Sequence, residues 1–340
     1  MLSAGKANVF VVAASMRWTV MPTRSSATSA PRFGIGEWYG KSFVRLPRAE
    51  QQRIARVSLN HTRQTALPCP FKNPDGSEAC TKKGGVCSLR LYERSQGGSV
   101  SAVQGEIGDL RTLCPHRFKQ DDIIYKAIGE RVLGTSAPRV VSEIRFLQRY
   151  HEESVESVPE EQQENDRADS TSREDVGNID NVLVHPNADP LKWCALEIQA
   201  VYFSGSGMTS LFRSILDFQD SGLPFPDVVR RPDYRSSAPK RLMPQLQIKV
   251  PTLRRWGKKM AVVVDAAFYR SLGRMETVRD LSNCDIAWFV ARYEEDGDAV
   301  RLVVGEPKKQ TLERAVEGLT GGLPVTLGEF EAKIIEKLQD

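Results

Sequence analysis

Four cysteines, Cys69, Cys80, Cys87 and Cys114, fall within one window of 46 residues, whereas Cys194 and Cys284 stand apart inside apolar runs. Thiols gathered in this way either pair as disulfides or ligate a metal, and each outcome pins the loops between them. No secretory signal is read in the sequence, so a reducing cytoplasm is the expected compartment, where structural disulfides are rare. The expectation is therefore a metal module over residues 68–117. Cys69-Pro70-Phe71 and Cys114-Pro115-His116 read as two halves of a knuckle, and Lys82-Lys83-Gly84-Gly85 as the turn that folds Cys87 back. Four thiolates suit zinc or iron in tetrahedral geometry. Intervals of ten, six and twenty-six residues match no common zinc ribbon, and His116 is an alternative ligand. Cys194 and Cys284 are expected as small buried hydrophobes.

A chain of 340 residues, 40% hydrophobic and 26% charged, can bury a core and has room for a larger unit beside that module. No apolar run reaches about 18 residues, so no membrane span is expected. Residues 1–35 carry Lys6, Arg17, Arg24 and Arg32 but no acid, and read as a disordered leader or a mis-assigned start. The expected division places an N-terminal region with the metal module at 36–120 and a larger core at 121–340. Within that core, residues 152–175 hold ten acids against two arginines and read as a surface loop too polar to order itself.

Periodicity fills in the elements. Helical spacing is read over residues 48–57, and again from Asp121, as N-cap, to Leu133, with Gly134 as the stop. Alternation and short apolar runs predict strands at 140–147, 178–184, 192–203, 260–264, 285–293 and 300–304. Further helices are expected at 209–218, 310–318 and 327–338. This interleaving describes an α/β fold with a mixed central sheet.

Two of these strands carry charge in apolar surroundings, which is costly without a partner or a metal. On a strand, Glu197 and Gln199 emerge on one face while Leu196, Ile198 and Ala200 take the other. If the neighbouring strand brings Asp180 alongside, two carboxylates and an amide converge. Two carboxylates can hold a hard divalent cation such as Mg2+, the usual requirement for hydrolysing a phosphodiester. Gln199 can position water but cannot take its proton. Glu143 is a further acid on the strand at 140–147.

Basic charge is concentrated after these strands. Arg230, Arg231, Arg235, Lys240, Arg241, Lys249, Arg254, Arg255, Lys258 and Lys259 are interrupted by one acid, Asp233, and interleaved with Tyr234 and Trp256. Such a stretch is expected to track the phosphates of double-stranded DNA.

Cys69-Pro70-Phe71, Cys80, Gly85-Val86-Cys87 and Cys114-Pro115, followed in order by Leu196-Glu197-Ile198-Gln199, resemble the NotI-type restriction endonucleases. The resemblance runs from about Gly36 to Tyr293. It implies a PD-(D/E)XK-like nuclease core, with Asp180, Glu197 and Gln199 at the catalytic positions and Mg2+ on the carboxylates. It also implies that Cys69, Cys80, Cys87 and Cys114 hold structural iron. The expected activity is type II restriction, site-specific cleavage of double-stranded DNA, and a palindromic target would call for a C2 homodimer. Two rival functions are a zinc-finger-like regulator without catalysis and a repair or modification-dependent nuclease.

Overall fold

The run Met260–Asp265 has almost no polar face to give to water, and it becomes a strand buried along its whole length. The computed structural model describes residues 30–62, 64–72, 77–147, 178–205, 207–321 and 325–339. In chain order the strands are β1 (Arg32–Trp38), β2 (Lys41–Ser42), β3 (Val86–Arg94), β4 (Val100–Ala102), β5 (Arg111–Thr112), β6 (Arg139–Arg145) and β7 (Asn178–Val184). They continue with β8 (Trp193–Ile198), β9 (Phe203–Ser204), β10 (Arg231–Pro232), β11 (Met260–Asp265), β12 (Ile286–Asp296), β13 (Ala299–Val304) and β14 (Lys308–Gln310).

Among the described residues, twelve strands form one mixed sheet in the order β4-β3-β1-β2-β13-β12-β11-β8-β7-β6, with β5 on β3 and β14 on β12. β11 lies parallel between β8 and β12, and the other neighbours along the path are antiparallel. Parallel neighbours need a crossover. The helix Met243–Arg255 lies in the connection from β8 to β11, and the helix Ala266–Ser271 in that from β11 to β12. The mixed α/β expectation therefore holds.

Alternation along the central strands sends apolar side chains into two layers. Ala195, Met260, Val262, Val264 and Trp288 face the helices Met243–Arg255 and Leu312–Thr320. Cys194, Leu196, Ala261, Val263 and Phe289 face Phe118 and the helix Ile123–Ile128. Cys194 and Cys284 are buried, as expected of small hydrophobes. A third cluster joins β1 and β3 to the helices Arg48–Leu59 and Thr209–Asp217 and contains Cys69, Cys80 and Cys87. β2 pairs with β13, so strands from both expected units share one sheet. β1 begins at Arg32, inside the segment read as leader. Residues 1–29 and the acidic stretch 152–175 lie outside the described residues.

Several expectations are corrected. Asp121 and Asp122 both adopt positive φ, 51° and 56°, and neither side chain caps; the helix starts at Ile123, and residues Gly129–Leu133 widen into π-helical turns. Gly134, left-handed at φ 78°, is the stop that was expected. The strand read through 192–203 leaves the sheet after Ile198. There the Gln199 N–H still donates to Val263, but the Val201 N–H turns to the carbonyl of Thr112. β1, β3 and the helix Met243–Arg255 had no counterpart in the sequence reading.

Asp265 closes β11. One carboxylate oxygen caps the helix Ala266–Ser271 at the Phe268 N–H and the other accepts from the Thr112 N–H, each at 2.7 Å. Burial pushes this carboxyl up to about 6 from an ordinary 3.8, with the two donors opposing the rise. Between those values the folded chain holds a proton that the unfolded chain has lost, so this group's contribution to stability falls as pH rises. Asp265→Asn removes the dependence. Its stability relative to wild type is expected to improve by up to about 3 kcal/mol between pH 4 and pH 7. Denaturant titrations at each pH measure the difference.

Candidate active site

The register of β7 on β8 pairs Asn181 with Leu196 and Val182 with Ala195. One step further the same register sets Asp180 opposite Glu197, and alternation turns both toward the layer of the helix Met243–Arg255. β6 on β7 pairs Ser142 with Asn181 and Ile144 with Ile179, which brings Glu143 to the position across from Asp180. Three acids thus occupy one row over three strands, with Glu143 at φ 57° bending its edge strand there.

The carboxylates of Asp180 and Glu197 are near enough to act on one another. Glu197 is 5% exposed. Burial first, and then the neighbouring Asp180 charge, push its pKa up to about 8, while Lys249 opposes the rise. Lys249 Nζ stands 2.5 Å from Glu197 Oε1. Gln199 follows on the same face, its side-chain amide donating to the carbonyl of Ala200 at 2.6 Å. Sequence reasoning found the acids and the amide. It named Lys249 as a DNA contact, whereas the ammonium pairs with Glu197.

These groups border a cleft of about 1060 Å³. Asp180, Glu197 and Gln199 line it together with Arg230, Lys240 and Arg241, and Lys82, Lys83 and Pro115 contribute from the cysteine segment. Arg230 is 3% exposed and gives one N–H to the carbonyl of Gly207, while its Nε and Nη1 have no partner among the described residues. Arg241 lies 4.0 Å above the ring of Tyr202 and also donates to its hydroxyl.

The ten basic residues therefore do not act as one surface. Arg230, Lys240 and Arg241 line the cleft, and Arg231 and Arg235 are exposed. Arg254 is held by Asp285 and Glu313, and Arg255 donates to Thr252. Lys258 and Lys259 donate to the carbonyls of Leu191, Ser282 and Cys284, tying down loops. Lys249 is fully buried, with its ammonium against Glu197 rather than on the exposed surface.

The four clustered cysteines are all buried and carry free thiols. The antiparallel bridge between Pro68 and Ala79 sets Cys69 opposite Glu78 and Cys80 opposite Leu67, and the carbonyl of Cys87 receives the N–H groups of Leu113 and Cys114. Gly84 and Gly85 take positive φ, 75° and 69°, and a Cβ on Gly85 would stand 2.1 Å from the ring of Tyr39, so this turn requires glycine. The neighbouring Cys80 thiol holds Cys69 below the usual thiol range, and Cys69 with burial pushes Cys80 well above it. Three of the thiols also feel another's charge: Cys80 that of Cys87, Cys87 that of Cys114, and Cys114 that of Cys69. Four buried free thiols are a donor set of the kind a thiophilic ion takes. Among the described residues, however, no three or more His, Cys, Asp or Glu side chains stand in the arrangement of a formed metal site.

Arg117 ties this segment to the sheet. Its guanidinium is fully buried between the rings of Phe71 and Tyr293, pairs with Glu37 at 2.7 Å and donates to the carbonyl of Val300. Among the described residues no helix is long and apolar enough to cross a membrane. No curated protein matches the chain. The family model of restriction endonuclease NotI matches residues 53–304. With well over half of its length covered in this way, the chain belongs to the NotI restriction endonuclease family.

Proposed function

We propose that this protein is a type II restriction endonuclease with a PD-(D/E)XK-like site, hydrolysing phosphodiester bonds of double-stranded DNA at a specific sequence. The observation that carries the reading is the Asp180–Glu197 pair, placed side by side at a cleft whose rim is basic. Adjacent carboxylates repel one another, and a divalent cation relieves that repulsion. Mg2+ bound there would polarise the phosphoryl group and acidify the attacking water. Asp180 and Glu197 bind and orient. The Gln199 amide holds the water by hydrogen bonding and carries no charge to the reaction. Lys240 and Arg241 offer donors to phosphate oxygens, and Arg230 beside them keeps Nε and Nη1 unpartnered among the described residues. Cys69, Cys80, Cys87 and Cys114 would hold a structural iron or zinc ion, in the same segment that brings Lys82 and Lys83 to the cleft. A palindromic target would be cut by a C2 homodimer presenting two such sites.

Incubating supercoiled plasmid with the purified protein, with Mg2+ or with a chelator, tests this reading. Discrete linear fragments that require the cation are expected, whereas binding without any cut would favour a regulator. Digesting methylated and unmethylated DNA in parallel separates restriction of unmodified sites from modification-dependent cleavage. For the rim, Lys240→Ala with Arg241→Ala is expected to weaken binding across all sequences. The dependence of log affinity on log salt should also flatten by roughly 2, about one for each lost phosphate contact. Fluorescence anisotropy over a salt series measures both.

A further inference from the structure

The helix Met243–Arg255 meets the sheet through Leu246, Lys249, Val250 and Leu253, all buried and spaced as one stripe. Three of the four are aliphatic. Lys249, in their midst, is fully buried and its ammonium reaches Glu197 at 2.5 Å. Placing an ammonium in such a stripe is costly, and a well-packed hydrophobic residue in place of a buried ion pair is often no worse for stability. Packing alone therefore gives no reason for a lysine here. Chemistry gives one. Gln199, two residues beyond Glu197 on the same face, brings no positive charge, yet charge accumulates on the phosphoryl oxygens during hydrolysis. Lys249 is the cation already in contact with the carboxylate pair.

We propose that Lys249 supplies from the helix the ammonium that Gln199 does not supply from the strand. This rests on reading Asp180 and Glu197 as the nuclease site. Without metal, Lys249 neutralises Glu197. During cleavage its N–H groups stabilise the charge on the phosphate held beside Glu197. The water oxygen bonds to phosphorus and releases a proton to solvent, the bond to the leaving sugar oxygen breaks, and that oxygen takes a proton from solvent. Lys249 stays charged throughout and exchanges no proton. Its role is electrostatic, and a buried counter-ion for Glu197 would not produce it.

The test compares wild type, Lys249→Met, Lys249→Met with Gln199→Lys, and Glu197→Ala. It reads single-turnover cleavage at saturating Mg2+, DNA affinity, and Mn2+ binding by calorimetry. Lys249→Met is expected to cut about 100- to 1000-fold more slowly, with DNA affinity held within about threefold and Mn2+ bound at least as tightly as in wild type. Adding Gln199→Lys returns the ammonium along the strand and should recover at least about tenfold in rate. Lys249→Met cutting at the wild-type rate overturns the proposal. So does a slow Lys249→Met that binds Mn2+ normally and gains nothing from Gln199→Lys. If Lys249→Met does not fold, Lys249→Gln, polar but uncharged, is judged by the same criteria. Glu197→Ala separates the two levels: wild-type cleavage by that variant removes the site itself, whereas an inactive Glu197→Ala beside a fully active Lys249→Met removes only the role of Lys249.

Discussion

Glu197→Ala is expected to lower the rate of DNA cleavage by at least about 1000-fold, because metal stabilisation of the transition state amounts to several kcal/mol and this change removes one of its two carboxylates. The variant also strips Lys249 of its partner. Leaving a buried charge unpaired costs about 3–5 kcal/mol, so the protein should melt earlier as well. Loss of activity and loss of fold must therefore be told apart, and Asp180→Asn does so. Asp180 is exposed and Lys249 pairs with Glu197, so that ion pair remains in the variant. Its negative charge raises the pKa of Glu197, and removing it relieves the metal-free site. Asp180→Asn should be as inactive as Glu197→Ala while melting at or above the wild-type temperature. Single-turnover digestion of plasmid, with thermal melts on the same samples, measures both quantities.

The second large effect is expected at the cysteines. Cys87 is fully buried beside Cys114, Glu37 and the Arg117 side chain that ties the segment to the sheet. A four-thiolate shell leaves no open position for water or phosphate, so its ion would be structural, and its binding energy would contribute directly to folding. Cys87→Ser should cost about 4 kcal/mol or more, the range reached when a structural metal is lost. For a chain of this size that is a fall in melting temperature of roughly 10 °C. Soluble yield should fall before the chemistry at Asp180 and Glu197 changes. Elemental analysis of protein purified without added metal should find about one iron or zinc per chain, as one closed site requires. Wild-type melting after metal removal, or mass spectrometry showing these cysteines in disulfides, would end the metal reading.

How much of this was legible in the sequence depended on how many faces each element hides. β7 was read with its observed ends and β11 to within one residue; β11 is an apolar run buried on both faces, which has one plausible solution. β1 was not, since Gly34 and Gly36 interrupt it. The structure gives their reason: a Cβ at Gly34 would stand 2.7 Å from Pro226, and one at Gly36 2.4 Å from Leu110. Those glycines permit close approach and do not mark a turn. The helix Met243–Arg255 was hidden by Pro244 and Pro251, although Pro244 sits in the first turn, where no backbone donor is required.

The site itself was half legible. Strand alternation placed Glu197 and Gln199 on one face, and the β7–β8 register supplied Asp180. Lys249 was grouped with the surface charges because it stands in a basic stretch, and clustering says nothing about direction. Its spacing from Leu246, Val250 and Leu253 does, and that signal was present in the sequence. The pairings of Arg254 with Asp285 and Glu313 span long separations and needed the fold to be seen.

Sequencing the ends left in a random DNA library by wild type and by Asp180→Asn, each with Mg2+ and with a chelator, tests the central claim most directly. The account predicts ends at one recurring sequence for wild type with Mg2+, and none above background in the other three reactions. Ends produced equally by Asp180→Asn, or by wild type in the chelator, would contradict it.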